Sequence, residues 1–138
     1  MSGFVLDCSV AASWCFTDET DDYSRSILES LSTQRAAVPP VWPLEIANVM
    51  LTAERRGRIG AAAARRFLDL VFSLPIDRDI GSSPAVDATL FHLGLQYRLS
   101  SYDASYLELA LRLGLPLATR DEKLHAACER AGIAIAGK

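Results

Sequence analysis

Three cysteines and two histidines are all that the 138-residue chain offers in thiolate and imidazole metal ligands. Cys8, Cys15 and Cys128 are odd in number and show no CxxC spacing. Neither a disulfide framework nor a thiolate zinc site is expected, and an intracellular, cytoplasmic setting follows. His92 and His125 stand far apart in the sequence and read as surface or packed side chains rather than a ligand pair. No apolar run reaches the roughly 18–20 residues that span a bilayer. The opening MSGFVLDCSV has neither a basic n-region nor an apolar h-region, so no signal peptide is expected. Glycine-rich phosphate loops (GxxxxGKS/T, GxGxxG) and the GxSxG elbow are missing, which removes nucleotide-loop and serine-hydrolase readings. An excess of positive charge is missing too: 14 Lys and Arg stand against 17 Asp and Glu, a net charge of −3. A nucleic-acid partner would have to be held by local basic residues, not by an overall field.

Hydrophobic residues make up 50% of the chain and charged ones 22%, an ordinary globular balance that argues against disorder. The length suits one domain, residues 1–138, with a full core. Phe4–Leu6 and Ala36–Val38 read as short buried strands, Pro75–Ile80 as a weak one, and Leu115–Thr119 and Ile133–Ile135 as two more. Between them lie helical patterns. Ser9 is positioned to cap a short helix through Cys15, and Asp21 or Asp22 opens one to about Leu31. Pro43 suits the first position of a helix that ends in the basic run Arg55, Arg56, Gly57 and Arg58. Ala61–Phe72 follows as a hairpin partner. Ala85–Tyr97 carries Ala88, Phe91, His92 and Leu95 on one face. Two last helices run from Ser100 to Gly114 and from Asp121 to about Ala131. The result is an α/β domain with a short, mostly parallel sheet of four to five strands and about seven helices. Right-handed crossovers would set the carboxyl ends of the strands along one edge, where ligands bind in open α/β sheets.

Four acids sit at strand ends or in first helical turns: Asp7, Glu45, Asp103 and Asp121. Each alone has an ordinary explanation as a helix-dipole or capping residue. The stretches Ser100–Asp103 and Thr119–Glu122 both fit capping boxes. Taken together the acids say more. Asp7 and Asp121 each end an apolar strand and share a sheet edge. Glu45 and Asn48 are helix-face neighbours. Asp103 heads a face continued by Leu107, Ala110, Leu111 and Gly114. Carboxylates gathered in one place repel, and a divalent cation removes the conflict. Hard oxygen donors favour Mg²⁺ or Mn²⁺, and such a site supports phosphodiester hydrolysis.

The segments VLDCS (Val5–Ser9), PLEIAN (Pro43–Asn48), SYDASYLELA (Ser101–Ala110) and PLATRDEKL (Pro116–Leu124) carry a resemblance to the PIN-domain family. The likeness is specifically to VapC-type toxins of type II toxin–antitoxin pairs, and it spans essentially the whole chain. It implies a PIN-like three-layer fold and a Mg²⁺- or Mn²⁺-dependent endoribonuclease whose catalytic, metal-holding acids are Asp7, Glu45, Asp103 and Asp121. Ser9, Asn48 and Thr119 would support those acids. The partners it implies are RNA, a small cognate antitoxin whose extended tail fills the toxin's groove, and a second copy of the chain. Among basic residues, Arg120 is the RNA-binding candidate because it adjoins Asp121, whereas Arg55–Arg58 reads as a solvated helix end. The alternatives are a PIN nuclease of RNA processing or DNA repair with no antitoxin, and an inactive binding module.

Overall fold

The computed structural model describes residues 2–81 and 83–138. In chain order the elements are β1 (Ser2–Leu6), α1 (Cys8–Ser13), α2 (Asp22–Ser30), β2 (Arg35–Val38), α3 (Trp42–Arg55) and α4 (Ala61–Phe72). Then come β3 (Ile76–Arg78), α5 (Pro84–Tyr97), α6 (Ser101–Leu113), β4 (Leu117–Ala118) and α7 (Glu122–Ala131). Among the described residues this gives seven helices and one parallel sheet ordered β3-β2-β1-β4.

That order fixes the layering. From β1 the chain steps outward to β2 and on to β3, then crosses back over β1 to reach β4. Right-handed crossovers travelling in opposite directions lie on opposite faces of a parallel sheet. The helices between β1 and β3 therefore cover one face and α5 and α6 the other, making three layers. The crossovers part company at β1 and β4, and a crevice opens outside their carboxyl ends. The expected α/β architecture is present, with one correction. Ile133–Ile135 does not form a fifth strand: only an isolated bridge joins Ile135 to Leu117. A two-residue β4 offers too short an edge to extend.

The sheet is buried on both faces, which is why its strands read as continuous apolar runs. Phe4, Val5, Leu6, Ala36, Ala37, Val38, Leu117 and Ala118 all belong to the core, joined by Ile46 of α3 and by Ala104, Tyr106, Leu107, Leu109 and Ala110 of α6. Helix α6 is the central helix because its inward face is almost unbroken. Its expected face is nevertheless narrower than the spacing implies. Leu107 and Ala110 are buried, but Leu111 is exposed and Gly114 lies past the helix end, in the left-handed conformation that glycine adopts without strain. Helix α5 differs more. Ala88, Phe91, His92 and Leu95 share a face as their spacing predicts, but that face points outward, with Phe91 66% and Leu95 55% exposed. Burial on α5 falls instead on Leu93.

Candidate active site

Asp7 is the innermost acid. It directly follows β1, its backbone N–H donates to the Ala118 carbonyl at 3.0 Å, and its side chain is only 4% exposed. One carboxylate oxygen, Oδ2, accepts hydrogen bonds from the hydroxyls of Ser9 at 2.6 Å and Thr119 at 2.7 Å. Among the described residues nothing donates to Oδ1. This arrangement overturns two capping expectations. Ser9 lies inside α1, whose N-cap is Asp7, so its hydroxyl turns back to the carboxylate instead of starting the helix. Thr119 is not the cap of α7 either. Asp121 takes that place, and Thr119 accepts from the Asp121 N–H at 3.0 Å while donating to Asp7. Adjacent parallel strands explain both results: Asp7 and Thr119 come off the paired ends of β1 and β4.

Glu45 arrives from the first turn of α3 and Asp103 from the first turn of α6, whose N-cap Ser100 accepts from the Asp103 N–H at 3.1 Å. Both acids are half-buried. The Asp7 carboxyl is pushed up to about 6, first by burial and then by the charges of Asp103 and Glu45, against the lowering effect of its two hydroxyl donors. Burial raises Glu45 and Asp103 too. Asp103 adds its charge against Glu45, and Asp121 adds its charge against Asp103, while Lys123 pulls Asp103 the other way. Asp7, Glu45 and Asp103 thus act on one another, and Asp121 acts on Asp103. Asp121 joins with half of its capacity committed: its Oδ1 caps α7 through the N–H groups of Lys123 at 2.8 Å and Leu124 at 3.1 Å.

Tyr106 also belongs to this site. Its ring is fully buried, and its hydroxyl donates to Glu45 Oε1 in a short hydrogen bond. The signal was present, because Tyr106 lies one helical turn after Asp103 on the inward face, where a phenol needs a partner. Asn48 is exposed on α3, and among the described residues no hydrogen bond reaches its side chain. Arg120 stands beside the site, but its guanidinium pairs with Asp21 at 3.3 Å while its backbone N–H donates to Ser9 at 2.9 Å. His125 pairs with Glu129 at 3.0 Å.

The donor set suits a hard divalent cation. It consists of carboxylate oxygens without imidazole, and burial and the neighbouring acids keep the nearby Cys8 thiol protonated. Among the described residues no three His, Cys, Asp or Glu side chains are close enough to enclose an ion by themselves. A bound Mg²⁺ would take one or two of these carboxylates directly and keep several waters. The raised Asp7 carboxyl is the strain that such an ion would relieve.

Comparison with known proteins agrees with this geometry. The PIN domain family model matches residues 4–130. VapC ribonuclease Mb0985 of Mycobacterium bovis is 34% identical over 94 residues, covering 68% of this chain and 71% of that protein. Ribonuclease VapC9 of Mycobacterium tuberculosis matches to the same extent. Among solved structures, PAE2754 of Pyrobaculum aerophilum superposes with a TM-score of 0.70 at 23% identity, covering 91% of this chain and 79% of that one. The Mycobacterium tuberculosis toxin VapC20, described as cleaving the sarcin–ricin loop, gives 0.64 at 13% identity, covering 91% and 95%. A parallel sheet in this order, a buried acid at the end of β1, and these relatives lead to one assignment: the chain belongs to the PIN-domain family.

Proposed function

We propose that the chain, acting as one domain over residues 1–138, is a divalent-metal-dependent endoribonuclease and the toxin of a cytoplasmic toxin–antitoxin pair. The observation that carries this reading is the Asp7 carboxylate, buried among other acids and anchored by two hydroxyls through one oxygen only. A protein has no structural reason to bury such a group unpaired with a cation. The VapC relatives support RNA as the substrate and a small antitoxin as the partner.

Asp7 and Asp103 are the main ligands for Mg²⁺ or Mn²⁺ in this proposal, with Asp121 and Glu45 completing the set. The ion supplies Lewis acidity and charge neutralisation at a phosphodiester. Ser9 and Thr119 hold one oxygen of Asp7 and leave the other for the ion. Tyr106 holds one oxygen of Glu45, leaving the other to orient or deprotonate the attacking water. Asp121 stays in place because it also caps α7. The outward apolar face of α5, with Phe91 and Leu95, supports assembly with a second copy.

The test is expression of wild type and Asp103→Asn without an antitoxin, followed by mapping of new RNA 5′ ends. Growth arrest with new ends in wild type only is the expected outcome. Arrest by both proteins with no Asp103-dependent cleavage contradicts the proposal.

A further inference from the structure

RNA approaching four carboxylates is repelled by them, and a chain of net charge −3 has no general field to offset that repulsion. Some local feature must hold the strand. A groove of about 550 Å³ opens beside Asp121, lined by Asn48, Thr52, Arg56, Arg58 and Arg120 among others, with Glu19, which pairs with Arg58, as its other carboxylate. One side of it is a stripe of α3 that runs on to the helix's C-cap, Arg56. Asn48, Thr52 and Arg56 follow each other at i, i+4 and i+8 and so share a face, and Glu45 precedes Asn48 by three residues on the same side. The stripe starts at the acids and ends at an arginine about 16 Å along the helix.

The arginines around the groove are not equivalent. Arg58 is held over the Phe16 ring at 4.2 Å, with Asp18 and Glu19 each 3.4 Å from its guanidinium, so its charge is already offset. Arg120 is shared with Asp21. Arg56 is exposed and, among the described residues, has no ion pair. Its neighbour Arg55 is equally exposed but does not line the groove. The basic run that looks uniform in sequence is therefore divided by the helix, with one arginine turned into the groove and one away from it.

We infer that the groove along Asn48, Thr52 and Arg56 is the track for single-stranded RNA leading to the acids, with Arg56 as its principal phosphate contact and Arg120 as a second. Asn48 and Thr52 offer neutral hydrogen-bonding groups between the two ends, where another carboxylate would repel the backbone. Hydroxyl and amide groups of this kind position a strand without requiring a sequence. The inference rests on the ribonuclease reading above and adds where the strand lies.

The experiment uses the full chain carrying Asp103→Asn, with Mg²⁺ present, and a fluorescein-labelled single-stranded oligoribonucleotide of mixed sequence followed by anisotropy across a salt series. In that background Arg56→Gln is expected to weaken binding roughly fivefold or more and to lower the salt slope by about 0.7. Arg55→Gln removes the same charge one residue away and is expected to leave both within error. In the cleavage-competent chain, Arg56→Gln should raise KM with kcat retained. Equal losses from Arg55→Gln and Arg56→Gln would mean that only bulk charge matters and would overturn the track. An Arg56→Gln protein that binds RNA like its parent overturns it as well, and leaves the ribonuclease reading standing. No RNA binding or cleavage by any form sinks both.

Discussion

Two acids emerge at the same edge of the sheet, and the protein treats them in opposite ways. Asp79 lies just past β3 and receives Arg112, whose Nη2 donates to its Oδ2 at 2.7 Å. The same guanidinium grips the buried Glu108 through Nε at 2.8 Å and Nη2 at 3.0 Å. Arg112 holds the Asp79 carboxyl below the usual carboxylate range. Asp7, just past β1, receives only two hydroxyls and is pushed up to about 6. An acid after a parallel strand is therefore not a site by position. The difference lies in whether the fold supplies a cation. At β3 it does, and the result is a clamp between strand and α6. At β1 it does not, and the deficit is what an external divalent ion would fill.

The largest effect should come from exchanging the two treatments. Asp7→Asn is expected to cut RNA cleavage by at least a hundredfold, while Asp79→Asn leaves cleavage within a few-fold of wild type at a temperature where both proteins are folded. Single-turnover assays on purified protein read both.

Stability should move the opposite way. Arg112→Gln strands two carboxylates and is expected to destabilise the chain by about 2–3 kcal/mol in urea unfolding. Asp7→Asn should instead stabilise the metal-free protein near neutral pH. The folded carboxyl binds its proton up to about pH 6, whereas an unfolded one releases it near its ordinary value of 3.8. Between those values the native state holds more protons, so stability falls as pH rises through this window. Two pH units correspond to about 2–3 kcal/mol at most. A wild-type melting curve that is flat from pH 4 to pH 6.5, with no gain from Asp7→Asn, would erase the contrast between the two acids.

Metal should sharpen the contrast further. Adding Mg²⁺ or Mn²⁺ at pH 7.5 is expected to raise the melting temperature of wild type and Asp79→Asn but not of Asp7→Asn. The smallest effect belongs to Tyr106→Phe, which removes the phenol from Glu45. A stability change of about 1 kcal/mol and a several-fold drop in kcat are expected, with the temperature shift from metal largely retained.

Much of this was legible in the chain itself, and the parts that were not share a cause. Alternation of short apolar strands with helices was enough for the parallel sheet, and the four segments from Val5 to Leu124 were enough for the family. Periodicity could not say which side of α5 faces the core, because Phe91 and Leu95 look like core residues whichever way they turn. Local capping rules placed Ser9 and Thr119 at helix ends, and only the family resemblance pointed them at the acids, where both donate to Asp7. That choice is made by the pairing of β1 with β4, which lie more than a hundred residues apart. Asp79 drew no attention for the same reason, since its partner Arg112, paired within α6 to Glu108 four residues before it, lies 33 residues away in the chain. The pair Tyr106 and Glu45, 61 residues apart, is a further contact that only the fold creates.

The central claim is that Asp7 is an acid built to work with a cation. It is tested most directly by incubating purified wild type, Asp7→Asn and Asp79→Asn with single-stranded RNA, each with Mg²⁺ and with excess chelator. Cleavage by wild type and Asp79→Asn in Mg²⁺ alone, and by Asp7→Asn in neither condition, is the predicted result. Cleavage by Asp7→Asn at the wild-type rate, or undiminished cleavage in chelator, would contradict it.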